Sequence, residues 1–424
     1  MDLVTGHTYW PHTLEKKPVY PAVEEDLECD VLVIGGGMAG AMSSYMLHKS
    51  GLDTILVDGT TVAGGSSSAN TGLIQFFNDK TLTSCIHTYG EQNGVTFYKL
   101  CEEAVNTLAD IMTLENIEGA VTRRESLYLA SSDSDLSMLK EEYDNLRKYG
   151  FDVEFWEAAD LADKFSFTKP GAIFAKGDAA LNPFRCVHGL VSSSASSGMR
   201  VYEHTRIESR KDTEEGIVFY TKDRHRIRAK HAVYATGYET QEMKPNANAK
   251  LLTSYALVTE PLPEITNWYR ECMIWETARP YLYMRTTDDN RIVIGGEDEP
   301  MMGEHDRINR LPVKQKLLLD QARAMFPHLD LRVAYAWSAV FGETHDGYPL
   351  IGSQPEFPNS TFALIYGGNG AVYATIAADI IKRKLCGEEP HPAAHYFRFN
   401  RPSRTLPFTI SRERKEAPSA AGKA

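Results

Sequence analysis

The chain has 424 residues, 42% hydrophobic and 24% charged, the balance of a globular protein long enough for two intermixed domains. A formal net charge of -12 provides no global positive field, which argues against nucleic acid or an anionic membrane surface as a partner. The six cysteines (Cys29, Cys85, Cys101, Cys186, Cys272, Cys386) form no CxxC pair and no spaced Cys/His cluster, so neither a metal site nor a disulfide framework is indicated, and a reducing cytosol suits them.

Residues 1–25 are polar and proline-containing, with no apolar leader, and read as an extended N-terminal arm. No uncharged apolar run reaches membrane-spanning length, so a cytoplasmic protein is expected. A β-branched run, 29–34, turns directly into Gly35-Gly-Gly-Met-Ala-Gly40 and a helix to about residue 49. A second apolar strand follows and ends in Asp58, completing a βαβ unit. Helical spacing covers 82–117, a strand 121–130, and an amphipathic helix 135–149 that stops at Gly150. A buried strand closes at a Gly turn over 230–237, and residues 251–260, 281–285 and 291–296 alternate as antiparallel strands do. The last elements are a strand 361–366, a Gly turn, and a helix 371–385 ending before Gly387. Beyond them the basic stretch 401–414, with Arg404, Arg412 and Lys415 nearby, reads as a solvated tail that frays at its end.

Gly35, Gly37 and Gly40 stand where a dinucleotide fingerprint needs them: a tight turn, close backbone approach to a pyrophosphate, and close helix-to-sheet packing. The helix N-terminus offers free N–H groups to phosphates. Asp58 follows at roughly the spacing of about 20 residues at which a carboxylate accepts ribose hydroxyls. Thr60 and Thr61 come next, with no arginine for a 2′-phosphate, which disfavours NADP. The fingerprint alone leaves FAD and NAD both open. The small, hydroxyl-rich run Gly64-Gly-Ser-Ser-Ser-Ala-Asn70-Thr-Gly72 suits a cofactor extended beyond the pyrophosphate.

With these motifs the chain resembles the FAD-dependent oxidoreductases of the D-amino-acid oxidase (DAO) superfamily, which include glycine, sarcosine and γ-glutamylputrescine oxidases. The resemblance spans about residues 28–401. It is carried further by Asn182-Pro-Phe-Arg185, Ala235-Thr-Gly237, Arg291-Ile-Val-Ile-Gly-Gly296, Trp337 with Asp346-Gly-Tyr-Pro-Leu-Ile-Gly352, and Gly367-Gly-Asn-Gly370. It implies an α/β fold: a Rossmann-type FAD-binding domain (26–80, 183–245, 336–390) interleaved with an antiparallel-sheet substrate domain (81–182, 246–335), and a tail 402–424. It implies non-covalent FAD, since no Cys or His takes a recognisable linkage position. The expected cofactor contacts are Gly35, Gly37, Met38, Ala39, Gly40 and Asp58; Gly65, Ser66, Ser67, Asn70, Thr71, Gly72 and Leu73; and Arg206 and Ile207 near the adenine. Ala235, Thr236 and Gly237 join them, with Gly367, Gly368, Asn369, Gly370 and Ala371 at the flavin pyrimidine edge. A helix N-terminus there would stabilise negative charge on reduced flavin.

Two family features are missing. Phe341, Gly368 and Val372 occupy the positions of cations that hold a substrate carboxylate, so a simple α-amino acid held in the family way is not expected. Val293 and Glu297 stand where sarcosine-oxidase-like members carry a lysine and a histidine, which leaves oxygen or another electron acceptor open. The candidate catalytic residues are Tyr255, Arg285, Glu297, Phe341 and His345, with Glu276 and Tyr283 also on the substrate side. Arg285 could recruit a carboxylate, and Glu276 or Glu297 an ammonium. The expected reaction is oxidation of a carbon–nitrogen bond in a small amine or N-substituted amino acid by hydride transfer to flavin N5, followed by imine hydrolysis. The alternatives are a hydroxy-acid or polyol dehydrogenase on the same fold, a flavoprotein subunit or tRNA-modifying flavoprotein, and an NAD enzyme. A homo-oligomer is compatible with the sequence.

Overall fold

A computed structural model describes residues 3–246 and 249–401, so the tail 402–424 lies outside the described residues. Strand Leu27–Ile34 is apolar on both faces along its second half, which suits a central place in a parallel sheet. It lies between Thr54–Val57 and Arg226–Tyr234, both parallel to it, and Arg200–Tyr202 extends the sheet beyond Thr54–Val57. Arg226–Tyr234 gives one edge to Leu27–Ile34. Its other edge is shared by the antiparallel Gly216–Thr221 over its first half and the parallel Phe357–Leu364 over its second. The registers align Val57, Ile34, Tyr234 and Phe362. Three of these parallel strands stop level and Phe357–Leu364 runs two residues further, and the loops after them open on one crevice, the place where such sheets bind ligands. Helix Met38–Lys49 packs between Pro183–Ser196 and Gly370–Leu385.

A second, nine-stranded sheet runs Val4–His7, Val333–Thr344, Ala249–Thr259, Ile292–Pro300, Leu282–Thr286, Met273–Glu276, Ser126–Leu129, Gly171–Ala175, Val153–Glu157. Its strands alternate along the chain with those of the first sheet, so the two layers interleave. The expectation of a wholly antiparallel sheet needs one correction. Met273–Glu276 runs parallel to Ser126–Leu129, because the long connection between them allows a crossover that a hairpin would not. Helix Glu304–Met325 packs against this sheet, and no helix among the described residues is long and apolar enough to cross a membrane.

Four local departures from the sequence reading have physical causes. The helical stretch 82–117 breaks at Gly90, whose φ is +86°, into Leu82–Tyr89 and Glu91–Leu114. The two helices then pack so closely that a Cβ on Gly94 would stand 2.8 Å from the Ile86 nitrogen. The strand 121–130 divides: Val121–Arg123 joins a small sheet with Leu73–Ile74 and Ala179–Leu181, while Ser126–Leu129 joins the nine-stranded one. The N-terminal arm does not trail in solvent. Val4–His7 pairs with Ala336–Ala339, and Trp10 is 2% exposed. Nor is Arg401 solvated, since its guanidinium donates to Asp346 at 2.7 Å and to the Tyr348 carbonyl at 2.8 Å.

Glu142 holds the start of helix Leu82–Tyr89, its carboxylate accepting from the Leu82 and Thr83 N–H groups at 2.8 Å each and from the Thr83 hydroxyl at 2.7 Å. Burial raises its pKa, and the helix N-terminus offsets part of that cost. Glu142→Ala should destabilise the fold by roughly 2–3 kcal/mol, read as a lower urea midpoint at unchanged slope. A variant as stable as the parent would show that these N–H groups find other partners.

Candidate active site

The crevice at the ends of the parallel strands deepens into a cavity of about 690 Å³. At one end lie Gly35, Gly37, Met38 and Ala39, with Asp58, Arg206, Ile207 and Ala235 to Gly237. Asp58 is fixed by its own neighbours: one oxygen accepts from the Gly36 N–H at 2.7 Å, the other from the Thr60 N–H at 2.7 Å and the Thr60 hydroxyl at 2.9 Å. Ser67 accepts from the Met38 N–H at 3.0 Å, tying the hydroxyl-rich run to the helix start. Gly40 lies outside the lining. A Cβ there would stand 1.7 Å from the Gly35 carbonyl oxygen, so its absence is what lets the helix close onto the strand.

The run 65–73 crosses the middle of the cavity, with Gly65, Ser66, Ser67, Asn70, Thr71 and Leu73 lining it. Three consecutive carbonyls of this run are held by three buried donors. Trp337 Nε1 donates to Ala69 O at 2.9 Å, Trp10 Nε1 to Asn70 O at 2.6 Å, and Arg285 Nε to Thr71 O at 2.8 Å. Gly72 lies outside the lining as well. Its φ is +76°, and a Cβ would stand 2.1 Å from the Leu181 oxygen, so it serves backbone packing.

Beyond the run come Gly367 to Ala371 and the walls of a chamber. The late Gly turn is stitched to residues 75–79: Asn369 Nδ2 donates to Phe77 O at 3.1 Å, and the Gly368 N–H donates to Asp79 at 2.9 Å. Phe77, Trp275, Tyr281, Tyr283 and Phe341 give the chamber an aromatic wall. Asp79, Asp298 and Arg279 are its charged members. Asp298 Oδ1 is buried and has no hydrogen-bond partner among the described residues. Burial pushes its carboxyl up to about 6; the Ser254 and Tyr281 hydroxyls pull the other way, and the charge of Asp79 adds to the rise. The Arg279 guanidinium sits 4.6 Å over the Tyr281 ring.

The candidate catalytic residues separate. Tyr255, Tyr283 and Phe341 line the cavity, and Tyr255 donates its hydroxyl to Glu299 at 3.1 Å. Arg285, Glu297, His345 and Glu276 do not line it. Arg285 shares a strand face with Tyr283, but the run 69–72 comes between it and the chamber, and its donors go to backbone carbonyls. His345 offers its backbone oxygen to Lys80 Nζ at 3.0 Å, and Glu276 pairs with Lys169 at 2.9 Å.

Glu297 is displaced by a bulge. Tyr255 pairs with Gly296 and Thr253 with Glu299, so one strand spends three residues where its partner spends two. Gly296 and Glu297 take φ of +136° and +59° there. The extra residue turns Glu297 to Lys314 (3.2 Å) and Gln321 (2.9 Å) under helix Glu304–Met325, and delivers Asp298 to the chamber instead. Val293 is buried in the core. Sequence reasoning missed Asp79, Trp275, Arg279, Tyr281 and Asp298. The Gly295-Gly296 pair inside a strand was the signal for the last, since glycine there marks a bulge.

The family model for FAD-dependent oxidoreductases (DAO) matches residues 30–383. γ-Glutamylputrescine oxidoreductase of Escherichia coli is 23% identical over 396 residues, covering 91% of this chain and 90% of its own. Glycine oxidase of Bacillus licheniformis is 24% identical over 367 residues, covering 84% and 93%. The crystal structure of glycine oxidase from Geobacillus kaustophilus superposes with a TM-score of 0.75 at 18% identity, covering 88% of this chain and 99% of that one.

The cavity suits FAD on structural grounds: its lining runs from Asp58, a carboxylate fixed by Gly36 and Thr60, to the Gly turn 367–371, and a Cβ on the lining residues Gly65 or Gly237 would meet no protein atom within 4 Å and so project into free space. Trp10→Phe keeps the ring and leaves Asn70 O unpaired, which should weaken FAD binding by about tenfold, measured by equilibrium dialysis. Gly40→Ala should abolish FAD retention altogether. Full flavin absorbance in that variant would mean the helix does not need its close approach.

Proposed function

We propose that this chain, which belongs to the DAO family of FAD-dependent oxidoreductases, oxidises a carbon–nitrogen bond in a small amine or N-substituted amino acid whose ammonium is received by Asp298. The observation that carries the reading is the buried Oδ1 of Asp298, without a hydrogen-bond partner among the described residues, in an aromatic-walled chamber continuous with the cofactor cavity. A desolvated carboxylate favours a cation beside it, and Asp79 adds to that preference. The same charges oppose a hydroxy acid, whose only ionised group is an anion. A substrate that also carries a carboxylate would direct it to Arg279, the one cation among the chamber's described residues, over the Tyr281 ring.

FAD, when bound, supplies the two-electron acceptor for the hydride that leaves the substrate carbon. Asp298 contributes before that step. It accepts a hydrogen bond from the ammonium and then the proton itself, leaving the nitrogen lone pair free to form the imine, which water hydrolyses. A carboxyl near 6 is matched to this exchange better than an ordinary aspartate. The rings of Phe77, Trp275, Tyr281, Tyr283 and Phe341 keep bulk water from the reacting carbon. The described lining contains no lysine, which supports an electron acceptor other than oxygen.

Anaerobic titration with a panel of diamines, N-methyl amino acids and hydroxy acids should bleach the flavin with an amine and leave it oxidised with every hydroxy acid. The reverse pattern would remove the reading. Because Asp298 must be ionised to accept the proton, kcat/KM should rise with pH through about 6 and then level. Asp298→Asn should lower kcat/KM by roughly 10²–10³ and remove that limb of the profile.

A further inference from the structure

Behind the run 69–73 lies a second cavity of about 310 Å³, separate from the chamber. Trp10 and Arg285, whose donors hold Asn70 O and Thr71 O, line it. Four guanidiniums converge there, Arg124, Arg185, Arg285 and Arg291, against two carboxylates, Asp288 and Asp289. A pocket with this excess of cations is unusual in a chain of net charge -12.

The charges do not cancel within the site. Arg291 pairs with Asp289 at 2.6 Å and Arg124 with Glu271 at 2.7 Å, but Arg124 Nε is buried without a partner. Arg185 and Arg285 make no ion pair among the described residues; their guanidiniums donate only to backbone oxygens. Arg285 is 4% exposed, and burial lowers its pKa to about 10 against the opposing charge of Asp288 in the same pocket. Its three hydrogen bonds, to Thr71, Thr286 and Leu181, use three of its five N–H groups. A desolvated cation with spare donors facing a cavity is stabilised by an anion there. His12 and Asp288 are exposed at the edge of the pocket, so a solute can reach it.

We infer that this pocket binds a small oxyanion, a carboxylate or a phosphate group of a free solute, through Arg124, Arg185 and Arg285. Guanidinium forks match the paired oxygens of either group, and the cavity admits a small molecule but no macromolecule. Because Arg285 also holds Thr71 O, the occupant bears on the run that crosses the cofactor cavity.

The test is isothermal titration of the FAD-loaded protein with sodium phosphate and, separately, sodium succinate, at ionic strength held constant with sodium chloride. Loading with FAD keeps either anion out of the pyrophosphate site. One of the two should bind, and Arg185→Ala and Arg124→Ala should each raise its Kd at least tenfold; which anion binds decides between phosphate and carboxylate. Should Arg185→Ala fail to retain FAD, Arg185→Lys keeps the charge, loses the fork, and carries the same comparison. Absence of binding by both anions at millimolar concentration would overturn the site, and so would a Kd unchanged in the variants.

Discussion

Three consecutive carbonyls, those of Ala69, Asn70 and Thr71, are held by three buried donors that come from three distant parts of the chain. A loop crossing a cofactor cavity has to present backbone on one side without leaving its own polar atoms unpaired on the other. Here the unpaired side is met by two indoles and a guanidinium, each rigid and each reaching a carbonyl that helix or sheet geometry could not. In the proposed cofactor site, the parallel sheet positions the turn that would meet the phosphates, and this clamp positions the run beyond it. The nine-stranded sheet is therefore part of the cofactor site as well as the wall of the substrate chamber.

The parts legible in sequence are those encoded by local spacing. Gly35, Gly37, Gly40 and Asp58 sit at offsets that strand, turn and helix geometry impose, and the parallel register then aligns Ala235 to Gly237 and the late Gly turn with them. What stayed hidden depends on long-range contact. Arg285 is a cation on a strand of the substrate sheet, which suits a carboxylate, and nothing local reveals that another segment lies between it and the chamber. Trp10 sits in a polar, proline-containing arm whose composition resembles linker, and its burial is a tertiary event. Glu297 is the residue that falls at the family's histidine position, and one bulged residue carries it away from the chamber and puts Asp298 there instead.

That reversal also explains the polarity of the chamber. A longer Glu297 facing the cavity would carry its charge farther in. The bulge sends it to Lys314 and Gln321 instead, where it is neutralised, and leaves the shorter Asp298 among aromatic rings. Binding character is thus set by backbone geometry as much as by the choice of side chain. The same holds at Gly72, where close approach to Leu181 positions Thr71 and Leu73 without contributing a contact of its own.

The clamp has a consequence for how the protein is made. Its donors lie at residues 10, 285 and 337, so the earliest of them waits through most of translation for the strand Val333–Thr344 that its own arm pairs with. Contacts of such sequence separation form late and slowly. A nascent chain with its βαβ unit already folded still lacks the backing for the run 69–71 until the segment around Trp337 has left the ribosome. The clamp is therefore complete only after the segment around Trp337 has been made, and until then the edge of Ala249–Thr259 that Val333–Thr344 covers has no partner.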